Sequence, residues 1–161
     1  MKSFTSAVLL LAGLAAASPV QKQSPYEVTQ FTASKTHNSG YCTFSFDVST
    51  HGIAEPAHCT ASADAGFSGA TYLAMIYEGL GKCDNADVTW TFYQPSAVET
   101  APPKDATLNV TINGVRGIYT IPGSDITASL NDPQNPFDND VSYTGPKAFS
   151  ITKFVKVEEQ E

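Results

Sequence analysis

An all-β domain, a compact antiparallel barrel or sandwich of about eight to ten strands, is what this sequence predicts, and three observations predict it. Apolar and polar residues alternate in several runs. In the clearest, Cys42, Phe44, Phe46 and Val48 oppose Tyr41, Thr43, Ser45 and Asp47, the period-2 signature of a half-buried strand. Turn residues punctuate these runs at short intervals, including an Asn113-Gly114 pair between two β-rich segments. No segment combines helical periodicity with length and caps, so little helix is expected.

The elements follow in order. Residues 26 to 64 read as strand, turn, strand, loop, strand, with order beginning near Tyr26. The small polar residues Thr36 to Gly40 tolerate the tight, left-handed backbone that a reversal needs. The loop Gly52 to Pro56 leads into a third strand at His58 to Ala63, whose small inner residues suit the close approach of a bulky group such as Trp90 or Phe44. Tyr72 to Tyr77 is apolar enough to be read as a strand, although its Leu-Ala-Met centre also suits a helical turn. Val88 to Tyr93 alternates with Val88, Trp90 and Phe92 inward, and Pro95 with Pro102-Pro103 ends it. Leu108, Val110 and Ile112 alternate next, and Asn113-Gly114 predicts a hairpin with Val115 to Ile121. The loop from Pro122 to about Asn139 carries a short strand at Ile126 to Leu130. Val141 to Tyr143, a Thr144-Gly145-Pro146 turn and Ala148 to Val155 predict a closing hairpin.

The ends bound the compartment. Lys2, the apolar run Ala7 to Ala17 and the small residues Ala15 and Ala17 predict a secretory signal over 1–17, cut after Ala17. That run is well short of the roughly 20 apolar residues a membrane helix needs. A flexible arm at 18–25, a single domain over 26–156 and an acidic tail at 157–161 complete the organisation, and the expected location is extracellular. With the 17 leader residues and their Lys2 removed, 144 residues remain with 8 basic and 16 acidic side chains, a formal charge of −8. That field repels phosphate backbones and anionic membranes, so neither nucleic acid nor membrane is an expected partner.

The chemical motifs are sparse. Three cysteines in an oxidising compartment imply one disulfide and one odd thiol, and the residues alone leave the pairing among Cys42, Cys59 and Cys83 open. His37, His51 and His58 share no short ligand spacing, and the acidic run NDPQNPFDND lacks the glycine pivot and closing glutamate of an EF-hand, so no metal is assigned. Ser68 has glycines at the wrong spacing for a nucleophile elbow, and Asp84 with Asp87 reads as turn chemistry, so no catalytic set and no cofactor are assigned. Asn109 heads the Asn109-Val110-Thr111 sequon on the outward parity of its strand, a glycosylation candidate. Tyr41, Tyr93 and Tyr119 fall on expected outward faces, where exposed tyrosine serves protein or sugar contacts.

The run Y-x-V-T-x-F-x-A-S-K from Tyr26, then Y-C-T-F-S-F-D-V, C-T-A-S-A-D, and Cys83 ahead of V-T-W-T-F-Y together resemble the fungal secreted family of the Alternaria major allergen. The likeness covers roughly residues 26–121. It implies a compact antiparallel β-barrel, a disulfide between Cys59 and Cys83, and a free, buried Cys42. The second, C-terminal cysteine pair of that family and the N-terminal cysteine of its covalent dimers are missing here, so a monomer is expected. Proteins of this kind include allergens, elicitors of plant defence and effectors that bind host proteins. The expected function is therefore non-enzymatic binding to a host or cell-wall protein. The alternatives are a carbohydrate-binding or carbohydrate-active wall protein and a structural wall or spore-surface protein.

Overall fold

A computed structural model describes residues 23–51, 53–96, 102–132, 134–135 and 137–156. The expected signal at 1–17, the first five residues of the arm at 18–25 and the tail at 157–161 lie outside the described residues. Among the described residues there are eleven strands: β1 (Tyr26–Lys35), β2 (Tyr41–Ser49), β3 (Ala57–Asp64), β4 (Lys82–Cys83), β5 (Val88–Tyr93), β6 (Ala106–Ile112), β7 (Val115–Ile121), β8 (Ile126–Leu130), β9 (Asn139–Tyr143), β10 (Phe149–Ile151) and β11 (Lys153–Lys156). A 3-10 turn at Gly123–Asp125 is the helical element among them.

The strands form two antiparallel sheets. The first runs β4-β3-β2-β1-β9-β8, with β10 also on β1, and the second runs β11-β7-β6-β5. Both sheets stay open, so the sandwich forms and the closed barrel implied by the resemblance does not. Alternation explains the layers: every second residue of β2, β5 and β6 is buried, and the two inner faces meet over Phe44, Phe46, Trp90 and Phe92. The Trp90 ring lies 5.1 Å from Phe46 and 6.0 Å from Phe44, and Phe44 lies 4.9 Å from Phe92. Each such side chain contributes about 1.5–3 kcal/mol by leaving water. The register sets Ala61 beside Phe44 and Cys59 beside Phe46, which is why the third strand carries small inner residues.

Local rules set the connections. Asn113 (φ 49°) and Gly114 (φ 75°) both adopt the left-handed backbone of a two-residue hairpin turn. Cys59 and Cys83 oppose each other across β3 and β4 and are joined by the disulfide that the resemblance implies. Closing that 24-residue separation contributes roughly 3 kcal/mol on the chain-entropy account. In β1 a bulge between Thr29 and Thr32, with Gln30 at φ 54°, advances the alternation by one residue. Tyr26 and Val28 precede it on the inner face, and Phe31, Ala33 and Lys35 follow it there.

Two expected elements form differently. Tyr72 to Tyr77 is not a strand but an irregular buried segment with a single bridge, Ile76 to Phe92. Its amides are met by side chains instead of a ladder: Leu73 N–H donates to Gln94 Oε1 (2.8 Å) and Ala74 N–H to Cys42 Sγ (3.2 Å). The expected closing hairpin is also absent. β9 pairs with β8 and β1, while Ala148 to Val155 breaks at Thr152, so that β10 joins β1 in the first sheet and β11 joins β7 in the second. β10 takes Tyr26 to Val28 and β9 takes Ser34 of the same β1 edge, and Phe31 N–H donates to Lys147 O (3.0 Å) between them, so the two strands lie end to end along β1 instead of pairing with each other.

Candidate functional site

Three segments meet at one end of the first sheet: the turn after β1 (residues 36–40), the stretch after β3 (64–70) and the loop between β8 and β9 (131–138). Lys35 holds them together. The bulge in β1 sends its side chain inward, and its ammonium donates to Ser68 O in the second segment and Asn139 Oδ1 at the foot of the third. Burial pushes the Lys35 pKa down, and the nearby Cys42, Asp140 and Asp138 act in the opposite sense. Gly40 fits because any Cβ there would collide with Asp64 Oδ1, and Ala65 N–H donates to Gly40 O (2.8 Å), fastening the first segment to the second.

A polar cluster caps the junction. His37 Nδ1 lies 3.0 Å from Asp140 Oδ1 and its Nε2 3.5 Å from Asp138 Oδ1. Asn131 Nδ2 donates to Asp140 Oδ2 (3.0 Å) and Asp138 Oδ1 (3.3 Å). The hydrogen bond from Asn131, followed by that from His37, holds the Asp140 carboxyl below its usual range. The acidic loop is built of Asx turns: Asp132 Oδ1 accepts Gln134 N–H (2.8 Å) and Asn135 Oδ1 accepts Phe137 N–H (3.1 Å). Among the described residues no group of three or more His, Cys, Asp or Glu side chains is placed to hold a metal.

Beside this cluster stand exposed aromatic rings. Phe67 is 44% exposed and Phe137 is 55% exposed, and a Cβ at Gly69 would meet both rings, so the two flank that glycine. Tyr41, 53% exposed, follows Gly40 and pairs with Asp64 across β2 and β3. Loops at one end of a sandwich, held by a rigid scaffold, are where binding residues commonly sit.

The other expected site residues divide. Tyr93 is 47% exposed at the end of β5, on the outer face of the second sheet. Tyr119 is not outward as expected. The two-residue hairpin fixes Leu108 opposite Tyr119, and since Leu108 faces the core, so does Tyr119, which stacks on Phe149 with ring centroids 4.0 Å apart. Asn109 does lie on the outer face, half-buried in the central strand β6, and its Nδ2 donates to Thr91 Oγ1 (3.1 Å). Cys42 is free and buried; burial raises its thiol pKa, and its sulfur accepts the Ala74 N–H.

The remaining candidates are structural in geometry. His58 Nδ1 lies 2.6 Å from Asp47 Oδ1, and Gln30 Nε2 donates to Asp47 Oδ2 (2.6 Å), a cross-strand set on the outer face of the first sheet. Asp84 Oδ1 accepts the His58 backbone N–H (2.8 Å), and Ser68 offers its carbonyl to Lys35. A cavity of about 510 Å³ is lined by Gln23, Pro25, Thr152 and Phe154, at the opposite end of β1 from Lys35, and none of these residues is titratable.

Reasoning from sequence missed Lys35, Phe67 and Phe137. The parity Phe31, Ala33, Lys35 was the available signal for the first; the two phenylalanines sit in loops with no periodicity to read. Comparison with protein-family profiles, curated proteins and solved structures returned no match for this chain.

Proposed function

We propose that this chain is a secreted, non-enzymatic binding protein that engages a partner protein at a host or cell-wall surface through the loop end of its first sheet. The observation that carries this reading is the pair of exposed rings Phe67 and Phe137 flanking Gly69, at the same loop end that carries the His37–Asp138–Asp140 cluster, with exposed Tyr41 following the first of its turns. Aromatic anchors ringed by polar groups are the usual composition of an interface core and its rim. Phe67 and Phe137 are already about half covered, so bringing the remainder of each ring out of water supplies about 1 kcal/mol. The Lys35 tie holds the segments in place beforehand, which lowers the ordering cost of association. A net charge of −7 over the whole chain and the local aspartates steer basic partners towards this end. The disulfide suits an oxidising compartment, in keeping with the leader read from the sequence.

The test is comparative capture from an extracellular extract with the wild-type chain and a Phe67→Ser/Phe137→Ser variant. Both side chains are exposed, so the variant should fold. A protein retained by the wild type and lost with the variant supports the reading. Identical captured sets, or turnover of a wall polymer that a point substitution abolishes, would sink it. A glycan-array signal that depends on the two phenylalanines would replace the protein partner with a sugar.

A further inference from the structure

β8 is an edge strand: among the described residues it pairs with β9 alone. Its hydrogen-bond phase follows from the bonds that bracket it. Thr144 N–H donates to Asp125 O (2.8 Å) and Asn131 N–H to Asp138 O (2.8 Å). Hydrogen-bonded pairs alternate along an antiparallel ladder, so Thr127 and Ser129 turn their backbone groups towards β9, and Ala128 and Leu130 turn theirs away from it. The Ile126 N–H is already given to Gly123 O, which leaves its carbonyl facing the same way. From Thr127 to Leu130 this edge is half-buried or exposed, and Leu130 is 50% exposed.

Natural edges are commonly protected by charge, proline or a bulge. Ile126-Thr127-Ala128-Ser129-Leu130 has none of these, and its register with β9 is continuous. Charge appears only beyond its ends, at Asp125 and Asp132, with Asp138 and Asp140 on the neighbouring strand and loop. A second copy paired antiparallel about Ala128 would set Asp125 of one chain opposite Asn131 of the other, next to Asp132, so each end of the ladder would gather acids from both chains and no base. A strand flanked by basic residues meets the same acids favourably.

We propose that the free edge of β8 takes up an extended, basic segment of the partner protein as an added strand. This rests on the reading of the chain as a protein-binding domain, and it adds the mode of recognition. Main-chain bonds to Ala128, Leu130 and the Ile126 carbonyl would give affinity, and the flanking aspartates would select for lysine or arginine. The edge adjoins the loop end through Leu130 and Asn131, so one partner can occupy both.

The test uses the full chain and a capped nine-residue probe of alternating valine and threonine with lysine at each end, followed by amide chemical shifts. Saturable shifts centred on Ala128 and Leu130 are expected, weakened about tenfold at low salt when the terminal lysines are replaced by glutamate. Ala128→Pro should abolish them while the amides of β9 hold their positions, because the proline removes only an outward N–H. A probe N-methylated on the face presented to β8 should fail in the same way, and it leaves the protein untouched. Shifts centred on another edge, none up to millimolar probe, equal affinity for the glutamate version, or dimerisation of the free chain through β8 would each overturn the proposal. If the Phe67→Ser/Phe137→Ser variant loses the captured partner and Ala128→Pro keeps it, strand addition is wrong and the binding reading survives.

Discussion

Replacing Lys35 with methionine isolates the tie that holds the loop end. Methionine keeps the apolar stem within the core but removes the ammonium, so Ser68 O loses its donor and Asn139 Oδ1 loses one partner. A buried acceptor stripped of its donor costs about 1–3 kcal/mol, which applies to Ser68 O, and the loss at Asn139, which keeps another interaction, is smaller. Removing the buried charge offsets part of this, because its desolvation no longer opposes folding. The expected net loss is about 1–3 kcal/mol. With an m-value of about 1–3 kcal/mol per molar urea, the unfolding midpoint should fall by roughly 1 M. The single tryptophan, Trp90, is buried between the sheets and reports the global transition by fluorescence. Hydrogen exchange should show protection lost first at residues 64–70 and 131–139, ahead of β6 and β7. A midpoint that holds or rises, or protection lost evenly across both sheets, would refute the reasoning.

Three further outcomes follow from the packing. Cys59→Ala or Cys83→Ala should each cost about 2–5 kcal/mol under oxidising conditions, whereas Cys42→Ala should cost less, chiefly packing and the acceptor for Ala74 N–H, as paired denaturation curves would show. Gly81→Ala should destabilise by about 1–3 kcal/mol and shift Trp90 emission, since a Cβ there would lie 2.6 Å from the indole ring. Burial, then the neighbouring Tyr119 and Asp125, pushes the Tyr143 phenol up to about 12, and burial also raises Tyr26. A raised folded pKa contributes stability that is intact below about pH 10 and is lost as pH climbs through the folded value. An absorbance titration should therefore show two phenols lagging the rest, with the denaturation midpoint falling as pH rises above about 10; full ionisation near pH 10 in the folded chain would contradict this.

Much of the fold was legible in the sequence because alternation and turn chemistry act locally. The opening strands, β5 and the Asn113-Gly114 hairpin follow from side-chain parity and two left-handed residues. Residues 72–77 were not legible because the partners of their amides are Cys42 and Gln94, far away in the chain. The run from Ala148 to Val155 reads as one strand, yet its two halves bond to different sheets, which local pattern does not encode. Tyr119 was legible in principle: the hairpin register ties it to Leu108, which faces inward. The candidate site was legible only in pieces, since His37, Phe67 and Asp138 come from three segments that tertiary packing alone brings together.

The most direct test of the central claim is a hydrogen-exchange footprint of the chain, free and in complex with a protein captured by the wild type. Added protection at residues 36–41, 64–70 and 131–140 is the predicted result. A footprint confined to the second sheet, with Tyr93 at its centre and the loop end unchanged, would contradict the account.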